Sequence, residues 1–223
     1  MKVQFEKIIE LEKNEIIRAF NKDFLPPVIA IESIELLMET ASLNGTKLQE
    51  IDGVRTGNGY IWHYNGTSSC WVKANYKGYR NAYKKYIYQI FEFKEKIPSE
   101  YDIDHLFNQG RGKKLDTGYL RLFPVLKKIN RTHGAIFENR VTKSESKRLM
   151  KKMHFMTFIS FLKILSIIPP KSIDEKDELE KVSVAISSFG YWTKDDVKKS
   201  LISLINRIEH PSDIIISQIS GSK

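Results

Sequence analysis

The amino-acid sequence predicts an α+β protein: a helical N-terminal part, a small antiparallel sheet leading into a strand–strand–helix core, and a helical C-terminal part. Three observations predict it. Apolar residues recur at helical spacing at both ends, short alternating runs punctuated by glycine fill the middle, and the positive charge is gathered in one third of the chain. At 223 residues there is chain enough for a sizeable core, and 41% apolar with 28% charged residues is ordinary for a folded protein. The texture divides into an N-terminal α/β region over 1–97, a core over 98–170 and a helical region over 171–223, which can close into one unit.

Phe5, Ile8, Ile9, Leu11, Ile16 and Phe20 fall near helical spacing, and Pro26-Pro27 ends that pattern. A second helix is expected from Val28 to about Ala41, closed by Asn44-Gly45. Between 52 and 93, Tyr60-Ile61-Trp62 and Cys70-Trp71-Val72 read as short strands around Asn65-Gly66, and Tyr86, Tyr88 and Ile90 alternate as a third. Ile103–Phe107 and Tyr119–Val125 read as two more strands, joined by a glycine-containing loop over Asn108–Gly118. Thereafter the pattern is helical. Thr142 and Glu145 form a capping box that opens a long helix stopped by Pro169-Pro170. A last pair is expected over about 173–189 and 194–209, the second capped by Thr193.

Several classes are excluded. No run approaches the ~18 apolar residues of a membrane span. Residues 1–20 lack the apolar segment of a Sec signal peptide, so the expectation is a cytoplasmic protein or one delivered by a specialised secretion system. Cys70 is the sole cysteine, which rules out an internal disulfide framework and a cysteine-rich zinc site; beside Trp71 it reads as a buried core thiol. There is no G-x-x-x-x-G-K phosphate loop, and neither a serine triad nor kinase motifs are present.

The net charge of +9 becomes informative when located. Residues 77–152 hold 19 Lys and Arg against 8 Asp and Glu, a balance of +11, and the remainder holds 17 against 19, a balance of −2. Such concentration is the footprint of a polyanion binder. Overlapping its start, the segment from Trp71 to Lys96 interleaves Tyr76, Tyr79, Tyr83, Tyr86 and Tyr88 with Lys73, Lys77, Arg80, Lys84 and Lys85, suited equally to stacking bases or to half-buried structural packing.

Within this segment one window carries chemistry: Asp104-His105, then Asn130, His133 and Glu138. Metal-assisted phosphodiester cleavage needs a base for water, a divalent cation for phosphate charge, and cations to hold the polyanion. His105 can be the base because imidazole titrates near neutrality. Asp104, with one or more of Asn130, His133 and Glu138, can supply oxygen and nitrogen ligands. Arg111, Lys113, Lys114, Arg121, Lys127, Lys128 and Arg131 surround these positions and suit phosphate. On a helix, Asn130, His133 and Glu138 fall within ~140° of arc.

The run Asp102 to Asn108, the basic loop, Tyr119 to Val125 and then Asn130 to Glu138 resembles the ββα-metal core of the His-Me finger (HNH-like) endonucleases. The resemblance covers about 50–65 residues and implies His105 as general base, Asp104 as a metal ligand, and Mg²⁺, Mn²⁺ or Zn²⁺ as the single cofactor. In one branch of that superfamily an Asn such as Asn130 binds the metal. In the other it braces the base while a helix His, here His133, ligates. The chain lacks the Arg-Gly of the first branch's Asp-Arg-Gly-His and the cysteine knuckles of the second. The window also resembles nuclease modules of bacterial polymorphic toxins, which implies a delivered toxin effector and a cognate immunity protein as partner.

The expected function is therefore a metal-dependent endonuclease cutting DNA, with RNA open because backbone contacts serve both. In it His105, Asn130 and Arg121 do the chemistry, and Asp104, Asn130, His133 and Glu138 bind metal. Two other readings fit the same charge: a non-enzymatic nucleic-acid-binding protein, or an interaction module whose basic patch meets an acidic partner.

Overall fold

The computed structural model describes residues 4–23, 27–64, 67–114, 118–135, 152–190 and 192–206. The fold is α+β, an antiparallel sheet with helices at both ends. Helix α1 (Phe5–Asp23) is followed by β1 (Val28–Ile31), α2 (Ile34–Leu43), β2 (Lys47–Glu50), β3 (Gly59–Tyr64), β4 (Thr67–Lys73) and α3 (Tyr79–Phe91). Then come β5 (Tyr101–His105), a short α4 (Gln109–Lys114), β6 (Tyr119–Leu126) and α5 (Lys127–His133). The C-terminal part holds β7 (Met153–Phe155), α6 (Phe158–Ile164), α7 (Lys176–Ser187) and α8 (Lys194–Asn206).

The seven strands run in the order β2-β3-β4-β6-β1-β7, and β5 pairs with β6 off this path. Strand β6 is the hub. Its first residues lie between β4 (Trp71 opposite Arg121) and β1 (Ala30 opposite Leu120). Its second half pairs with β5, His105 opposite Leu122 and Asp104 opposite Phe123. Leu106 donates to the Arg121 carbonyl at 2.9 Å, so 104–123 and 102–125 are the hydrogen-bonded pairs. Pro124 then falls opposite Ile103 at a non-bonded pair, where its missing N–H removes no bond to β5. Gly118 lets β6 begin this close to β1: a Cβ there would stand 2.0 Å from the Glu32 carbonyl oxygen.

Alternation along the strands sorts the core. Tyr60, Trp71, Tyr119 and Ile31 pack under α2 with Leu37. Ile61, Cys70, Val72 and Leu122 pack against Phe5 and Ile8 of α1 and Tyr83, Tyr86 and Ile87 of α3. Ile29, Leu120 and Phe123 meet Phe158, Phe161 and Leu162 of α6, with Val182, Ile186 and Leu201 behind them. Each fully buried side chain of this size contributes about 1.5–3 kcal/mol. Residues before 98 and from 98 to 170 thus share one sheet, and the described helices after 171 join its packing through Leu179, Val182, Ile186, Val197 and Leu201.

Four expected elements differ. The loop expected over Asn108–Gly118 contains the short helix α4 (Gln109–Lys114), its Gly112 N–H donating to the Asn108 carbonyl at 2.9 Å. Val28–Ile31 is a strand, because its apolar run pairs with both β6 and β7; the helix starts after Ser33, whose hydroxyl accepts from Leu36 N at 3.2 Å. Tyr86, Tyr88 and Ile90 lie in helix α3, since Ala82, Tyr83, Tyr86 and Ile87 bury one helical face. The predicted long helix before Pro169 is interrupted: Met153–Phe155 pairs with β1, and Thr157 caps α6 by accepting from Ser160 N at 3.2 Å. Its proposed start at Thr142 lies outside the described residues. The β3–β4 hairpin, β5, β6 and the final helix pair stand as expected, and the Thr193 hydroxyl accepts from Asp196 N at 3.2 Å. Cys70 is buried, and its thiol is pushed well up by burial and, secondarily, by Glu12. Among the described residues no helix is long and apolar enough to cross a membrane.

Candidate active site

The strand–strand–helix unit expected from the sequence is present as β5, β6 and α5, with α5 following β6 directly. Successive residues of β5 point to opposite faces, so Asp102 and Asp104 share one face and Ile103 and His105 the other. Asp102 accepts from the Asn130 amide at 3.4 Å, which ties α5 to the first strand. The Arg80 guanidinium, at the start of α3, lies 3.4 Å from the same carboxyl group. Its positive form is favoured first by Tyr79 and then by Asp102 and Asp104.

Asp104 meets a cation from farther along the chain. Its Oδ2 lies 2.6 Å from Nζ of Lys163 on α6, a lysine whose side chain is only 1% exposed. A lysine is tolerated at such depth when an anion compensates its lost hydration. His105 ends β5 with 6% of its surface exposed, and the Tyr79 ring covers it at a centroid distance of 4.5 Å. Along β5, Asp102 and Asp104 thus meet Arg80, Asn130 and Lys163, while His105, on the opposite strand face, meets Tyr79.

The other expected site residues part company. His133 is fully buried on the inner side of α5, its Nε2 2.8 Å from the Ile167 carbonyl oxygen. Asn130 and His133 thus serve different neighbours, although both lie near the same arc of the helix. Arg121 is turned to α1, where its Nη2 bonds Glu15 Oε2 at 2.5 Å. Burial disfavours its charge, but Glu15, Glu12 and Tyr86 outweigh that and raise its pKa. Glu12, beside it, accepts from the Tyr83 hydroxyl at 3.1 Å. Burial pushes the Glu12 carboxyl up to about 7, against the opposing pull of Tyr86, Arg121 and Tyr83.

Of the predicted phosphate binders, Lys128 and Arg131 are exposed on the outer side of α5 and Lys127 is half-buried. Arg111, Lys113 and Lys114 fall on α4, with their side chains outside the described part; Glu138 lies outside it altogether.

Among the described residues no three His, Cys, Asp or Glu side chains come together as a metal-ligand group. The Asp102 and Asp104 carboxylates share one strand face, partly exposed at 14% and 21%, but each already faces a cation, Arg80 or Lys163, and Asn130 turns its N–H, not its amide oxygen, to Asp102. His133 is fully buried with its Nε2 on the Ile167 carbonyl, so a metal could reach it only through Nδ1.

The sequence assigned no role to Asp102 or Lys163, and placed Tyr79 and Arg80 only in the aromatic-basic segment, apart from the Asp104–His105 pair. Asp102 had a signal, the Asp-x-Asp alternation on a strand. Lys163 had a fainter one, a charged residue inside an otherwise apolar helix. The chain matches no family model, no curated protein and no solved structure, so the reading of the site rests on its own residues.

Proposed function

We propose that the chain is a metal-dependent endonuclease acting on DNA or RNA, with β5, β6 and α5 as its catalytic unit. The observation that carries the reading is the bond from Asn130 to Asp102. It joins the helix to the strand bearing Asp104 and His105, inside the segment with a balance of +11. Asp102 and Asp104, in exchange for their contacts to Arg80 and Lys163, would hold a divalent cation such as Mg²⁺, whose chemistry is to stabilise charge on the scissile phosphate and leaving oxygen.

His105 takes the proton of the attacking water on an imidazole nitrogen, in an environment that the Tyr79 ring keeps largely dry. Lys128 and Arg131, exposed on α5, and Arg80, exposed at the mouth of the cluster, bind backbone phosphate. Arg121 is removed from the chemistry by its bond to Glu15 and acts as a structural anchor for α1. A role as a delivered toxin, with a cognate immunity protein as partner, belongs to the same proposal through the resemblance of the 104–138 window.

The test is incubation with plasmid DNA and with total RNA, in Mg²⁺, Mn²⁺, Zn²⁺ or EDTA, beside the His105→Ala variant. Cleavage that needs metal and falls by ~10²–10⁴-fold in the variant, with nucleic-acid binding kept, is the expected result. A folded His105→Ala protein that cuts at the native rate overturns the assignment of the base. Salt-sensitive binding without cleavage under any metal selects the non-enzymatic polyanion binder instead.

A further inference from the structure

We propose that the outer face of helix α3 is a binding track for a single strand of nucleic acid, with Arg80 and Lys84 on its phosphates and Tyr88 stacked on one of its bases. The proposal rests on the nucleic-acid part of the proposed function; neither the metal nor the cleavage step enters it. Of the five tyrosines between 76 and 88, the fold uses four. Tyr83 and Tyr86 are fully buried and donate to Glu12 at 3.1 Å and to the Ser68 carbonyl at 2.8 Å. Tyr79 covers His105, and Tyr76 packs, half-buried, against the core beneath α3. Tyr88 alone of the five faces solvent, with 54% of its surface exposed.

Helical geometry sets its companions. Arg80, Lys84 and Tyr88 recur every fourth residue, so they fall within about 80° of arc and ~6 Å apart along the axis. All three are exposed, while Ala82, Tyr83, Tyr86 and Ile87 bury the side packed on the sheet. Lys85, off that stripe, is half-buried and donates to the Gly53 carbonyl. The Lys94 ammonium stands 5.9 Å from the Tyr88 ring centroid, and the Arg80 guanidinium lies 3.4 Å from Asp102 on β5. The stripe therefore runs from the edge of the strand–strand–helix unit to a ring flanked by a cation. Residues 73–96 hold seven Lys and Arg against two Glu, and both acids, Glu92 and Glu95, follow the helix.

Regularly spaced cations beside an exposed ring suit a polyanion whose bases are unstacked. Phosphate contacts supply affinity without regard to sequence, and a ring face serves only a base that is not already stacked within a duplex. An acidic polypeptide would answer the cations and leave Tyr88 without a planar partner. The observation that selects the single strand is thus the exposure of Tyr88 in line with Arg80 and Lys84.

The test is fluorescence anisotropy of the full chain in EDTA with labelled oligo-dT and oligo-U, against a duplex of equal length and with polyglutamate as competitor. Tyr88→Ala is expected to weaken single-strand binding roughly tenfold, and Tyr88→Phe to keep it, while neither alters duplex binding. Lys84→Gln is expected to lower the slope of log K against log salt by about 0.7. Both positions are exposed, so the variants should melt as the wild type does. Either oligomer bound through Tyr88 supports the track, and the tighter one names the sugar of the strand. Single-strand affinity unchanged in Tyr88→Ala, or reduced equally for the duplex, overturns the proposal. Polyglutamate that displaces the label as readily as unlabelled oligo-dT does overturns it too, in favour of an acidic protein partner. A chain that binds single strands through Tyr88 yet cuts nothing with any metal overturns the nuclease reading alone. One that cuts with metal but binds single strands without Tyr88 overturns the track alone.

Discussion

Replacing Glu12 with Gln should make the protein more stable at pH 8, and much less so at pH 5. Glu12 sits 3% exposed between α1 and the sheet, and burial raises its carboxyl from 4.5 to about 7. A group whose folded pKa is raised contributes stability that is fully present below the unfolded value and is lost as pH rises through the folded one. The window is therefore pH 4.5 to about 7. At 1.36 kcal/mol per unit, the whole loss is about 3 kcal/mol, of which roughly 2 kcal/mol falls between pH 5 and pH 8. Gln keeps an acceptor for the Tyr83 hydroxyl and cannot ionise. The assay is thermal and urea unfolding of both proteins at pH 5 and pH 8, taken as the difference between them so that groups common to both cancel. For a chain of this length the difference at pH 8 corresponds to a rise of about 6–12 °C in the variant's midpoint. Parallel pH dependence in the two proteins would refute the reasoning, because Glu12 would then not be the group that takes up the proton.

Asp104→Ala removes the anion 2.6 Å from a buried lysine and is expected to cost about 3–5 kcal/mol, read as a lower urea midpoint; the double variant with Lys163→Met should recover most of that loss. Lys128→Ala and Arg131→Ala change exposed residues of α5 and should leave the melting temperature unaltered. Each is expected to lower the slope of log K against log salt for nucleic-acid binding by about 1. A slope unchanged in both variants would remove α5 from the binding face.

Much of the site's local frame was legible because it depends on short-range pattern. The β5–β6 pairing, the helix after it and the clustering of positive charge follow from alternation, from Pro124 and from residue counts, none of which needs a long-range contact. The strand Val28–Ile31 was not legible. A short apolar run has the same composition in a helix or a strand, and only two flanking strands, β6 and β7, decided it. Helix α3 was misread for a related reason: Tyr86, Tyr88 and Ile90 also satisfy a period of two, and burial of Tyr83 and Tyr86 against the sheet selected the helix.

The sequence by itself determined the fold class, the strand–strand–helix unit, the absence of a disulfide framework and the concentration of positive charge around Asp104 and His105. These depend on periodicity and composition, which act within a few residues. The tertiary structure alone decided who stands beside whom. Packing of α6 brought Lys163 to Asp104, docking of α3 laid Tyr79 over His105, and α1 drew Arg121 away to Glu15. His133 was settled in the same way, by a carbonyl 34 residues distant. Side chains one turn apart on a helix share an arc, but which of them faces a site depends on the elements that cover the rest.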